Sequence, residues 1–251
     1  MTANATASIP TPAPPFDPPT GSRMWTSRLI GTMFLAGFLL YGAGSVLVDS
    51  VVGEPDFLGD VAAAPTTLAL GAFLMIATTV ADIGKAVFFY PVLERHGKRT
   101  AVAYLATMIF EMALMTVGAL ALLTIIPLAD EAANGGLDGD TAQALGTLAV
   151  DANEIAYQIG QLSLAFGALF MAALLLRTGL VPRWLAVLGL VGYATHMLGA
   201  AAELFGYPIG LILLIPGAAF ELTLPIWLIT KGFTRAAFYG PQTVTTTAPS
   251  S

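Results

Sequence analysis

Not one cysteine occurs in this 251-residue chain. That excludes disulfides, thiolate metal sites and a cysteine nucleophile. Charge is almost as scarce: 10% of the residues are Asp, Glu, Lys or Arg, against about a quarter in an ordinary soluble domain. A soluble protein this poor in charge could not cover its surface. Basic residues number 10 against 16 acidic ones, a formal net charge of -6, so the basic stripe that a nucleic-acid partner needs is missing. There is also no glycine-rich phosphate loop after a strand, no metal-ligand spacing and no nucleophilic-serine signature around Ser163. No catalytic residue, metal or cofactor is expected.

What is present is hydrophobic: 56% of the chain, with mean hydropathy +0.78. The apolar runs go from about Leu29 to Val48, Thr66 to Tyr90, Ala101 to Ile126, Trp184 to Phe205 and Ile209 to Thr230, and the helix from Asp151 to Arg177 starts polar and ends in a further run after Gln161. Several are near or above the ~18 residues that mark a membrane span. The expected fold is all-α, a polytopic bundle of six transmembrane helices with the lipid bilayer as its partner. Residues 25–235 form the membrane domain. The Pro-rich segment 1–24 and the tail 236–251 are expected to be disordered, since neither can bury enough apolar surface to offset its ordering entropy. No repeat is strong enough to support an inverted-repeat architecture.

Charge orients the bundle. Arg23 and Arg28, the turn Arg95–Arg99, Arg177 with Arg183, and Lys231 with Arg235 alternate with loops that hold only acids. Those acids are Asp49, Glu54, Asp56 and Asp60 in one loop, and Asp130, Glu131, Asp138 and Asp140 in another. By the positive-inside rule both termini are cytoplasmic, in a multi-pass protein of the cell membrane. Lys85 is the basic residue inside a run. It stands three residues from Asp82, on one helix face and opposite in sign, so the two form an intramembrane ion pair nearer the inner surface.

The remaining polar groups lie at membrane depth. Asp151, Glu154, Gln158 and Gln161 recur at three- and four-residue spacing and share a face of the fourth helix, which begins at an N-cap expected at Asp140. Glu111 falls near the middle of the third helix, His196 in the outer half of the fifth, Glu203 at its outer end and Glu221 near the middle of the sixth. Gly189, Gly192, His196, Gly199 and Glu203 make one stripe; Ala156, Gly160, Ser163 and Gly167 make another. Small residues let backbones approach, and packing of these two stripes would set Gln158 or Gln161 near His196. In the sixth helix Pro216 and Pro225 each remove an N–H, so Glu221 is expected between two helix breaks. Lipid cannot solvate such groups, so the helices should gather around them.

The stretch Gly179-Leu180-Val181-Pro182-Arg183-Trp184-Leu185 leads into Gly189 and Gly192. It is followed by Glu221-Leu222, Trp227-Leu228-Ile229 and Lys231-Gly232. In order and spacing these resemble the DUF4386 family, bacterial integral membrane proteins of unknown function. The resemblance covers about Trp25 to Arg235 and implies a six-helix bundle. Similar proteins often carry a His in the polar start of the fourth helix, where this chain has Asp151, Asn153 and Glu154.

The function expected is the handling of protons, ions or a small solute through an outward-opening cavity lined by Glu221, His196, Glu154, Gln158, Glu111, Gln161 and Glu203. A non-catalytic membrane scaffold or sensor is the alternative, and a membrane-embedded lipid-modifying enzyme the third.

Overall fold

The computed structural model describes residues 22–239. In order these form α1 (Arg23–Val52), α2 (Leu58–Ala63), α3 (Pro65–Leu123), α4 (Ile125–Ala133), α5 (Gly139–Thr178), α6 (Arg183–Leu204), α7 (Gly210–Thr230) and α8 (Arg235–Tyr239). There is no strand among the described residues. Five helical stretches are long and apolar enough to cross a membrane: Arg23–Val52, Pro65–Ala133, Gly139–Thr178, Arg183–Leu204 and Gly210–Thr230. The outward surface between their ends is apolar, with Leu39, Val46, Val80, Leu120, Leu198 and Leu211 all exposed.

Where six separate runs were expected, the second and third follow one another within α3 with no loop between them. The basic turn between them is no open loop. Only Gly97 departs from helical geometry (φ -175°, ψ 88°), which is extended backbone, and the chain is helical on either side. The two arms of α3 fold back along each other. Phe89 meets Tyr104 edge-on at 6.1 Å between ring centroids, and Thr79 Oγ1 lies 3.4 Å from Thr116 Oγ1. Both pairs are centred on position 97, as in a helical hairpin.

The termini of the helices follow ordinary capping chemistry. Ser22 Oγ accepts from the Trp25 amide at 3.2 Å and opens α1. The cap of α5 is Asp138, whose carboxylate accepts from the Thr141 amide at 3.1 Å, not Asp140. Gln143 Nε2 donates to Pro55 O at 2.6 Å and ties α5 to the loop before α2. At the other end Gly179 takes φ +68°, a left-handed position that suits glycine, and its amide returns to Leu175 O. Pro182 then leads into α6.

The basic segments gather at one end of the bundle. Arg23 Nη1 donates to Lys231 O and Phe233 O, and Arg28 Nε to Ile229 O. Arg95 Nη1 donates to Phe238 O, and the Thr234 amide to Leu180 O. Residues 236–239, expected to be disordered, belong instead to α8, because Phe238 is buried and stacks on Phe233. Arg23 and Met24 likewise open α1, so the folded part extends beyond 25–235 at both ends. Positions 1–21 and 240–251 of the expected tails lie outside the described residues.

Two apolar cores result. One, at the basic end, joins Ile30, Phe34, Ala86, Met108, Leu175 and Phe233; the other, at the acidic end, joins Val48, Phe57, Leu68, Ala119, Ile125 and Ala142. Between them, on α1 and on both arms of α3, the sequence changes character: Gly37 to Gly42, Thr78 to Lys85 and Glu111 to Met115 contribute to a polar interior.

Candidate functional site

Each wall of that interior comes from a different helix. α1 contributes Gly37 and Tyr41, the first arm of α3 Asp82 and Lys85, the second arm Glu111, α5 Tyr157 and Gln161, α6 His196, and α7 Glu221. They enclose a cavity of about 250 Å³. Its other lining residues are largely apolar, including Phe34, Phe38, Met112, Met115, Leu164 and Leu214.

Asp82 and Lys85 were expected apart from the other polar groups, nearer the inner surface. They stand instead in the wall of the same cavity as Glu111 and Glu221. Lys85 Nζ lies 2.6 Å from Asp82 Oδ1 and 4.5 Å from the Phe34 ring centroid. Both residues are buried, at 5% and 8% exposure. Two charges removed from water are tolerable only together, and the aromatic face adds a second partner for the ammonium. α1 comes so close here that a Cβ at Gly37 would collide with the Asp82 carboxylate. Glycine is needed at that point for the approach.

The two glutamates are held differently. Glu221 Oε1 accepts a hydrogen bond from Tyr193 Oη at 3.1 Å. Glu111 is 3% exposed, and its Oε2 is buried with no hydrogen-bond partner among the described residues. An unpaired buried acceptor is costly; Asp82 Oδ1 is also buried without a hydrogen bond among the described residues, but it has the Lys85 ammonium beside it.

A second cavity, of about 200 Å³, adjoins the first and is lined by Glu154, Gln158, Gln161, His196 and Glu203. Gln161 and His196 belong to the walls of both, and His196 Nε2 lies 2.7 Å from Gln161 Oε1. Within this outer cavity Gln158 Nε2 donates to Glu154 Oε1 at 3.4 Å. Glu203 Oε1 accepts from the Gly210 amide at 2.8 Å and so closes the N-terminus of α7, where a carboxylate meets the positive end of the helix dipole. The structure thus brings Glu111, Gln161, His196 and Glu221 into one cavity and leaves Glu154, Gln158 and Glu203 in the next.

The two small-residue stripes do not face each other. A Cβ at Gly189 would meet Phe220, one at Gly192 would meet Gly217 and Pro216 O, and one at Gly199 would meet Gly210 and Leu213. The stripe of α6 therefore packs on α7. That of α5 packs on the second arm of α3, with Gly160 against Glu111, Gly167 against Thr107, and Ser163 Oγ donating to Thr107 O at 3.1 Å. Spacing identified the close-packing faces, but spacing carries no information about the partner. His196 belongs to the α6 stripe, with its Cβ beside Gly217 of α7, and its ring reaches across to Gln161 of α5.

Nor is α7 broken at its prolines. It runs from Gly210 to Thr230 with Pro216 and Pro225 inside. Neighbouring backbones press close at both points: a Cβ at Gly192 would lie 2.9 Å from Pro216 O, and one at Gly31 2.8 Å from Pro225 O. Packing on both sides holds the helix across each missing N–H.

Three tyrosines were not singled out from the sequence. Tyr41 and Tyr157 stack at 5.6 Å with rings 10° apart, and both line the inner cavity and a third one, of about 250 Å³, that also contains Asp49, Asn153 and Glu154. Tyr193 holds Glu221. Spacing could have found two of them, because Tyr157 follows Glu154 by three residues and Tyr193 precedes His196 by three. No charge or break in hydropathy marked them.

Among the described residues no three His, Cys, Asp or Glu side chains are grouped so as to hold a metal ion. No curated protein and no solved structure matches this chain. A family match does exist, and it spans the helices that build both cavities: residues 29–232 match the domain of unknown function DUF4386, and the chain belongs to that family.

Proposed function

We propose that the protein crosses the cell membrane six times, with both termini cytoplasmic, and takes up protons, ions or a small solute into its inner cavity from the outer face. The hairpin at Gly97 supports the count, since each arm of α3 exceeds the ~20 residues that a crossing needs. Gathering of the basic segments at one end supports the orientation. One observation carries the functional reading: Asp82, Glu111 and Glu221 share a cavity with a single Lys85. Packing alone would be served by polar contacts scattered between helix pairs. Placing acids from different helices around one space gathers more carboxyl groups than Lys85 can pair, and such a set can take up a mobile proton or cation.

The test is flux through purified full-length protein in liposomes, read with a pH-sensitive dye and with labelled sodium, together with Glu221→Gln in cells. The expected result is a gradient-driven flux that Glu221→Gln abolishes. Absence of any flux, with Glu221→Gln indistinguishable from wild type in cells, overturns the reading. Loss of thermal stability in Glu221→Gln and His196→Ala without a change in flux would favour the scaffold, in which Tyr193–Glu221 and Gln161–His196 only join helices.

A further inference from the structure

The inner cavity is larger and more apolar than protons or bare ions require. A dry cavity of ~150 Å³ already holds benzene, and this one measures about 250 Å³. Its polar groups lie within apolar walls that include Phe38, Met112 and Met115. A hydrated inorganic cation would set its water against those walls, where it finds few of the partners that an ordered water needs. No grouping of acids replaces a metal's hydration shell among the described residues.

The charge pattern narrows the class further. Asp82 is paired with Lys85 at 2.6 Å, and Glu221 is engaged by Tyr193. That leaves Glu111, a residue of the cavity wall whose Oε2 is buried and without a hydrogen-bond partner among the described residues. The Phe34 ring is already occupied by Lys85, but Phe38, Tyr41 and Tyr157 bring further rings to the same wall. Aromatic faces beside a buried carboxylate form the pattern that recognises an organic ammonium group. The adjoining outer cavity, with Glu154 and Glu203, adds acids on the way in.

We infer that the inner cavity binds a small organic amine in its ammonium form, with the nitrogen at the Glu111 carboxyl group and an apolar body about the size of one ring against Phe38 and the methionines. This deepens the uptake reading above and rests on it for the route of entry. The probe is 2-phenylethylamine, and its neutral counterpart of equal shape is 2-phenylethanol. Equilibrium binding is measured on the full-length protein in lipid nanodiscs.

The amine is expected to bind at least tenfold more tightly than the alcohol, and Glu111→Gln to weaken amine binding at least tenfold while leaving the alcohol unchanged. The comparison of amine with alcohol on wild-type protein stands even if Glu111→Gln does not fold. Equal affinity for amine and alcohol overturns the inference, as does wild-type amine affinity in a folded Glu111→Gln. Proton or sodium flux without amine binding overturns it too, yet leaves the uptake reading in place. Amine binding without any flux supports it and overturns uptake.

Discussion

His196 Nε2 lies 2.7 Å from Gln161 Oε1, and these two side chains stand in the walls of both the inner and the outer cavity. Tyr157 and Leu214 are likewise common to both walls. The contact also joins two helices whose small-residue stripes are turned to other neighbours.

For that pair, a double-mutant cycle of His196→Ala and Gln161→Leu should give a coupling of about 0.6 kcal/mol and no more than about 1.7, the range for interhelical hydrogen bonds in membranes. Reversible unfolding in mixed micelles measures it. A coupling of zero would mean the two side chains do not bond in the membrane.

The ion pair should behave asymmetrically. Lys85→Met leaves Asp82 as an uncompensated buried charge, at a cost of about 3–5 kcal/mol. The double variant Asp82→Asn with Lys85→Met removes both charges and should recover most of that loss. Thermal unfolding of the two variants decides the matter. Equal destabilisation by single and double variants would show that the loss came from packing and not from charge.

Two glycines separate close approach from mere spacing. Gly192→Ala would put a Cβ 2.8 Å from the Gly217 Cα, backbone against backbone, and overpacking of that kind costs about 1–3 kcal/mol. Gly160→Ala would meet nothing nearer than Glu111 Cγ at 3.5 Å, an ordinary contact. It should be neutral, or stabilising by up to about 1 kcal/mol through helix propensity. A thermal-shift comparison in the same detergent reads both, and the reverse order would mean that α6 and α7 sit further apart.

The start of α5 gives a fourth outcome. Asp138→Ala removes the side chain that accepts from the Thr141 amide and should cost about 1 kcal/mol. Asp140→Ala should be nearly silent, because Asp140 lies past the cap in the first turn. Amide hydrogen exchange at Thr141 distinguishes them. Faster exchange in Asp140→Ala alone would move the cap.

Much of the bundle was legible in the residues themselves. The apolar runs, the segregation of Lys and Arg from the acidic loops, and the polar face of α5 are local patterns, and each has a physical cause that acts along one helix. The stripe Gly189, Gly192, Gly199 likewise declared a close-packing face. Depth counted along a single helix was less informative. It separated Asp82 from Glu111, although the fold of α3 at Gly97 places both in one cavity wall. Tyr41 was silent because an aromatic ring in an apolar run reads as more apolar run, and Tyr157 and Tyr193 were marked only by their three-residue spacing from Glu154 and His196.

By itself the sequence determined which segments leave water and which of their faces cannot rest against lipid, since hydropathy and helical period are properties of one strand of chain. Only the tertiary structure decided which face meets which. It alone placed Glu111 without a partner, gave Glu221 to Tyr193 and joined Gln161 to His196. The reason is that a hydrogen bond or an ion pair between helices depends on rotation and separation to within an ångström, and those are set by all the packed helices at once.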